Sequence, residues 1–472
     1  MKKLLLLIIL ILQLGYANAQ EKTEKQFISL WEGNLKINAI SLKIVIKFFN
    51  NDDKSLGAFL DSPDQGVKNI PASFAKLTDD SLIVKIASIG GTFAGVIDKE
   101  TKTAKGMWKQ GQLETELSLA NVEKLSEVKR PQTPMKPYPY NEEEVVFLNH
   151  EDNITLAGSF TYPKSGSNFP AVVLVTGSGR QDRDETLFEH KPFLVLADYL
   201  TRNGIAVLRY DDRGVGKSKG NFANSTSEDF ARDAISAVEF LKTRKEVNLD
   251  FIGLIGHSEG GLIGPMAANI SSDIKFLVLI AGPGVVGKDL LVLQEELILK
   301  ASGMSEDEIK KQVESSVKSY EIVMNEPDSA KAYQKLKNLY EEELSKLSAE
   351  ERNKPEYSIA NFERGAAQIL SKWFRFFIKY DPRLALENIT IPLLALNGTK
   401  DTQVSSKQNM PAIDEALKMA GNKNYKLVEL EGLNHMLQHA ETGAVTEYGK
   451  IEETMSEEAL KIIADWINNL SK

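Results

Sequence analysis

The chain has 472 residues, too many for one ordinary domain, and its 42% hydrophobic and 26% charged content is that of a globular protein, not a disordered or fibrous one. A formal net charge of −9 argues against a phosphate-binding surface, so no nucleic-acid partner is expected. The absence of cysteine excludes disulfides, zinc-thiolate sites, iron–sulfur clusters and thiol nucleophiles, and the five histidines form no H-E-x-x-H, so no metal or cofactor is expected.

The N-terminus opens on Lys2 and Lys3, continues in an apolar run from Leu4 to Leu14 broken only by Gln13, and reaches the small-residue triplet Ala17-Asn18-Ala19. This is the plan of a secretory signal peptide over residues 1–19, too short to span a bilayer comfortably. No later stretch approaches the ~20 apolar residues a membrane helix needs. The mature protein is therefore expected to be exported, periplasmic or extracellular, without a membrane span.

Residues 20–125 carry strand patterns at Ser41–Phe48, Ser81–Ile86 and Gln112–Leu119, separated by turn signals such as Asn50–Asp53, Ser62–Gly66 and Gly90-Gly91. They predict a small antiparallel all-β domain, sandwich or barrel, with no catalytic constellation. Pro131, Pro134, Pro137 and Pro139 mark residues 126–140 as a stiff linker.

From residue 141 onward the pattern becomes α/β. Apolar runs at Ala171–Val175, Ala206–Tyr210, Phe251–Ile255, Phe276–Ile280 and Leu393–Leu396 alternate with helical stretches such as Ser227–Lys242. Continuous apolar strands imply a mostly parallel sheet covered on both faces. The charged, helical stretch from about 284 to 388 interrupts the alternation and reads as an inserted cap.

Gly256-His257-Ser258-Glu259-Gly260 follows the Phe251–Ile255 strand directly, and small residues suited to a tightly packed helix follow it. A G-x-S-x-G between strand and helix holds its serine on a strained turn, exposed to a base. A serine hydroxyl needs that base to act as a nucleophile. The chain order serine, acid, histidine selects His435, after the Tyr425–Leu430 strand, with His439 as competitor. Asp401, on the loop after Leu393–Leu396, is the acid that would orient the imidazole; Asp381, Glu429 and Glu431 read as surface charges. His150 and His190 read as structural, and the His257 side chain as pointing away from the hydroxyl. An oxyanion hole needs two backbone N–H groups, expected from Glu259 and from Ser178 in the glycine-rich loop Thr176–Gly179. Trp373, Phe376 and Phe377 share one face of a cap helix, either roofing an acyl pocket or packing the cap's own core.

These residues resemble the α/β-hydrolases, in particular secreted bacterial esterases grouped with the serine aminopeptidase-like hydrolases. The resemblance runs from about residue 141 to the C-terminus. It rests on Gly177-Ser178-Gly179 with Gln181-Asp182-Arg183-Asp184, on Tyr210–Ser218, on the serine turn, on Asn397–Asp401 and on Leu433-Asn434-His435. It implies an α/β-hydrolase fold with a helical cap over residues 141–472, and the same Ser258, Asp401 and His435 that the residue argument selects. Members of the family often carry His-Gly where this chain has Thr176-Gly177, and Pro where it has Arg180.

The expected activity is hydrolysis of a small-molecule carboxylic ester through an acyl-enzyme. The same triad would serve an aminopeptidase, an amidase or a thioesterase. A non-catalytic binding protein on this fold is the reading from another class, and the complete Ser258, Asp401 and His435 set argues against it. Neither the natural substrate nor the oligomeric state is written in the sequence.

Overall fold

The computed structural model describes residues 25–37, 40–111, 113–126, 129–352 and 357–470. The predicted signal segment, residues 1–19, lies outside the described residues.

Among the described residues, nine strands build the first sheet: β1 (Phe27–Ile37), β2 (Ile40–Asn50), β3 (Leu56–Ser62), β4 (Val67–Pro71), β5 (Phe74–Leu77), β6 (Ser81–Ile86), β7 (Gly91–Asp98), β8 (Thr103–Gln110) and β9 (Leu113–Val122). Their order is β4-β3-β2-β1-β9-β8-β7-β6-β5, and every pairing is antiparallel. The edge strands β4 and β5 are consecutive in sequence, and the residues joining them bond to both sides: Ala72 N donates to Ala58 O and Ser73 N to Lys85 O. The sheet thus curls into a half-barrel. Alternation along the strands turns Trp31, Ile44, Ile46, Phe48, Leu82, Val84, Phe93 and Trp108 into one shared core.

The second sheet has eight strands: β10 (Asn141–Asn149), β11 (Ile154–Tyr162), β12 (Phe169–Val175), β13 (Ala206–Tyr210), β14 (Val247–His257), β15 (Phe276–Ile280), β16 (Leu393–Gly398) and β17 (Tyr425–Leu430). Their order is β10-β11-β13-β12-β14-β15-β16-β17. The hairpin β10–β11 and the β11–β13 pair are antiparallel; all later pairs are parallel. This is the α/β-hydrolase fold. Its strands read as unbroken apolar runs because both faces are buried. Ala171, Val173 and Val175 join Leu277 and Leu279 beneath the helices Ser227–Lys242 and Glu259–Ile270. Val172 and Leu174 join Val278 and Ile280 beneath Pro192–Arg202 and Glu457–Leu470. Among the described residues, no helix is long and apolar enough to cross a membrane.

Between β15 and β16 the chain leaves the sheet for the helices Gly287–Ala301, Glu306–Asn325, Ser329–Ser345, Ala349–Arg352, Ile359–Ile369, Lys372–Phe377 and Arg383–Leu386. Arg375 ties this cap together by donating to the carbonyls of Val323 and Glu326 at the end of a neighbouring helix. The two sheets meet around one loop. Phe188 lies against Gly66 of the turn after β3, Lys68 pairs with Glu189 at 2.5 Å, and the Arg130 guanidinium donates to the carbonyls of Phe188, Gly449 and Ile451.

Glu295 sits buried inside the cap. Its Oε1 accepts from Ser316 Oγ at 2.9 Å and Gln312 Nε2 at 3.3 Å, while Oε2 has no partner among the described residues. Burial pushes its carboxyl up to about 7, against the pull of those two hydrogen bonds. Because the folded value lies above the ordinary one, the stability tied to the neutral carboxyl is complete below the unfolded value. It is lost as pH rises through about 7. Glu295→Gln is therefore expected to gain up to about 3 kcal/mol over the parent between about pH 5 and pH 8. Melting temperatures measured across that range check it; parallel curves for the two proteins would defeat the claim.

Candidate active site

β14 ends at His257 and the next helix begins at Glu259, which leaves Ser258 alone on the turn, at φ 54° and ψ −117°. A left-handed φ at a serine costs about 1–3 kcal/mol, so its surroundings must hold it there. Ser258 N donates to Ile280 O at 2.8 Å, and Gly261 N donates to Ser258 O at 2.9 Å. The two flanking glycines are required by contact. A Cβ on Gly256 would lie 2.0 Å from Gly260 O, and one on Gly260 would lie 2.1 Å from Val175 O.

His435 and Asp401 come together, with Nδ1 of the ring 2.8 Å from Asp401 Oδ2. Both side chains are buried. The other carboxylate oxygen accepts from the amides of Gln403 and Val404, each at 2.8 Å, so the acid cannot swing away. A tight turn presents His435: Asn434 Oδ1 accepts from the amides of Met436 and Gln438, and Asn434 Nδ2 donates to Gln438 Oε1. The main-chain oxygen of His435 lies 3.0 Å from Nε2 of His257, the residue before Ser258, and the two rings lie 4.8 Å apart. This contact brings the His435 loop beside the serine turn.

The loop after β12 lies against the same serine. A Cβ on Gly177 would come within 3.1 Å of the Ser258 Cβ, so a larger residue would crowd the hydroxyl. Asp212 fixes this loop by accepting from Thr176 Oγ1 at 2.7 Å and Gln181 N at 2.9 Å. Burial holds its carboxyl well above the usual range, despite those bonds. Gly177 N is taken by Glu185 Oε1 at 2.7 Å, which leaves Ser178 as the next amide of the loop. Glu259 is the first residue of its helix, where an amide has no intrahelical acceptor. Its buried carboxyl accepts from Ser227 Oγ at 2.5 Å and Trp373 Nε1 at 2.8 Å, and interacts with the Ser178 side chain. Burial raises its pKa, and these hydrogen bonds oppose the rise.

The cap aromatics divide. Trp373 reaches Glu259, next to the serine turn, and stacks on Phe377 at 5.1 Å. Phe377 is buried in the cap core, and Phe376 stacks on Tyr380. The remaining histidines stand apart from the Asp401 pair. His439 is exposed and pairs with Glu453, and His150 is exposed. His190 is buried between Thr454, Tyr448 O and Gln438, with burial pushing it down to about 4. Asp381 pairs with Arg383.

Sequence reasoning missed Glu185 and Asp212. Both lie within or beside the stretches quoted for the family resemblance, Gln181–Asp184 and Tyr210–Ser218. That co-occurrence was the available signal, since the second stretch pins the first. Arg209 pairs with Asp184, and Asp211 takes Arg183 in a bidentate grip at 3.0 and 2.9 Å.

This fold and this serine turn are similar to those of the α/β-hydrolases. Residues 190–351 match the family Hydrolase_4, described as serine aminopeptidase, S33. The chain is 29% identical to esterase EstD of Thermotoga maritima over 282 residues, which are 60% of this chain and 58% of that one. It is 31% identical to an acyl transferase of Shewanella woodyi over 140 residues, 29% of this chain and 42% of that one. The chain therefore spans less than two thirds of the length of these relatives. Among solved structures it is similar to an esterase of Pyrococcus furiosus, at 17% identity and a TM-score of 0.44, covering 73% of this chain and 99% of that one.

The serine turn has no room for added volume. Gly260→Ala is expected to lose about 1–3 kcal/mol of stability and to displace Ser258, because its methyl would strike the Val175 carbonyl. Denaturant unfolding together with active-site titration checks this. An alanine variant of unchanged stability and titre would show that the turn is not held by this contact.

Proposed function

We propose that the chain is a serine hydrolase that cleaves carboxylic esters of short acyl chain through an acyl-enzyme. One observation carries the reading: a serine held at a strained turn, whose neighbour His257 contacts the main chain of a histidine that holds its Nδ1 2.8 Å from a buried carboxylate. In this scheme Nδ1–H of His435 donates to Asp401, which leaves Nε2 free to take the Ser258 proton. Ser258 Oγ then attacks the ester carbonyl. The amides of Ser178 and Glu259 receive the oxyanion. Collapse expels the alcohol, protonated by His435, and water enters by the same route to release the acid. The Thermotoga relative named an esterase and the Shewanella relative named an acyl transferase both support acyl-transfer chemistry. Of the three cap aromatics, Trp373 is the one proposed to meet substrate, because its indole reaches the residue after Ser258. Export to the periplasm or beyond is proposed on residues 1–19 alone.

Ser258→Ala and His435→Ala are each expected to lower kcat on a p-nitrophenyl ester by about 10⁶. Asp401→Asn is expected to leave a folded protein slowed by about 10⁴. Near-normal turnover in either alanine variant would sink the assignment, and damage from Asp381→Asn in place of Asp401→Asn would move the acid. Activity should fall toward acid pH, because the base must be neutral.

Acyl length follows from the cap. The Trp373 indole, bonded to the residue after Ser258, is proposed to roof the space above that serine, and the cap's charged exterior offers little apolar surface for a lipid chain. Esters of about two to six acyl carbons are expected to show the highest kcat/KM. Comparing acetyl, butyryl, octanoyl and palmitoyl p-nitrophenyl esters with an aminoacyl p-nitroanilide tests this. Best activity on palmitoyl would defeat the short-chain claim, and best activity on the anilide would make the enzyme an aminopeptidase.

A further inference from the structure

The acyl-transfer scheme leaves two ionisable groups near Ser258 without a role, the buried Glu185 and the largely buried His257. Nδ1 of His257 lies 3.0 Å from Glu185 Oε1, and its Nε2 lies 3.0 Å from the His435 main-chain oxygen. A carboxylate and a carbonyl are acceptors only, so a ring that bonds both must carry a proton on each nitrogen. Glu185 Oε1 also accepts the Gly177 amide at 2.7 Å, while its Oε2 has no partner among the described residues. Glu185 stands at φ 51°, in a segment where Phe188 and Glu189 are also left-handed at 50° and 67°. Three strained residues in five are held by Asp184–Arg209 on one side and by Arg130 on the other.

We infer that Glu185 and His257 form a buried ion pair that positions the reactive groups: it fixes the His435 main chain on one side and the Gly177–Ser178 oxyanion loop on the other. The inference rests on the triad proposed above. His257 is a positioning residue here. Its ring does not take the serine proton, since both nitrogens are already engaged. The charged groups facing it are Glu185 from the loop before Pro192, His435 from the turn after β17 and Asp401 from the turn after β16.

The protonation of this pair has a direction. Burial lowers the affinity of His257 for its second proton, but the Glu185 charge, the hydrogen bond to it and the His435 carbonyl outweigh burial, and the net displacement is upward. The contact is therefore complete below the ordinary histidine value and is lost as pH rises through the raised one. Without that proton, a ring lone pair would face an acceptor, and the His435 turn would lose its tether.

The test measures kcat and KM across pH for the full chain and for Glu185→Gln and His257→Gln, with Ser258→Ala as control and fluorophosphonate labelling of Ser258 throughout. Both variants are expected to lose about 10–100-fold in kcat, as outer partners of a catalytic group do, with KM nearly unchanged and Ser258 still labelled. The parent should show an alkaline fall in kcat that His257→Gln lacks. Unchanged kcat and an unchanged alkaline limb in both variants, with Ser258→Ala inactive, would overturn the pair and leave the nucleophile standing. An active Ser258→Ala would overturn the triad reading first. If the variants fail to fold, ¹⁵N-histidine spectra of the unaltered chain decide the matter. His257 is expected to show two protonated nitrogens near neutral pH, and one unprotonated nitrogen would overturn the inference.

Discussion

The left-handed turn at Ser258 is the constraint on which the rest of the site depends. A serine does not choose φ 54°, and only close packing keeps it there. The packing comes from absent atoms: Gly256 and Gly260 let the helix start within contact distance of β14 and of the Val175 carbonyl. Gly261 against Gly282 continues the same approach on the β15 side. Once the helix is that close, its first residue, Glu259, follows Ser258 directly. The Gly177 loop is drawn against the serine from the neighbouring strand, and His257 is left at the one position from which it reaches both Glu185 and the His435 turn.

The segment from Gln181 to His190 links the parts that the sheet alone would not connect. Asp212, Asp211 and Arg209 bind its first half through Gln181, Arg183 and Asp184. Its second half meets the β half-barrel and the linker arginine through Phe188 and Glu189, and His190 closes on the buried Gln438 and Tyr448 beneath the His435 turn. Among the described residues, the N-terminal sheet supplies no group to the proposed triad, yet it touches the loop that carries Glu185. Buried charges dominate this region. Each of Arg209, Arg213 and Asp211 would be costly in isolation, and each is paired.

Where the pattern was strong, the sequence was sufficient. The strands Ser81–Ile86, Ala206–Tyr210, Phe276–Ile280 and Tyr425–Leu430 and the helix Ser227–Lys242 have in the structure the limits that their apolar periodicity predicts. Hairpin strands with weak alternation were not legible. β7 and β8 hold Gly95 and Gly106 face to face, and those glycines break the apolar rhythm because each would strike the opposite backbone or a ring. In the site, the proximity of Asp401 to His435 followed from chain order, a property of the fold. The Glu185–His257 contact did not, because it depends on the path of an irregular loop with left-handed residues that no propensity predicts. The cap aromatics were legible as a stripe, but helical spacing cannot tell a roof from a core. The difference between Trp373 and Phe377 is set by a single indole N–H that finds a carboxyl across the cap boundary.

That carboxyl raises a question of electrostatics. Glu259 places an acidic side chain one residue from Ser258, the proposed nucleophile, where an oxyanion is proposed to form, and two negative charges there would oppose each other. Burial raises its pKa toward the neutral form, and the donors Ser227, Trp373 and Ser178 spread whatever charge remains. The arrangement works only while the cap is seated, because one of those donors belongs to the cap. Withdrawal of Trp373 would remove a hydrogen bond from a buried carboxyl and expose it beside Ser258. Cap position and the electrostatics of the proposed oxyanion site are therefore not independent variables in this fold. The same contact that is proposed to roof Ser258 also tempers the charge next to it.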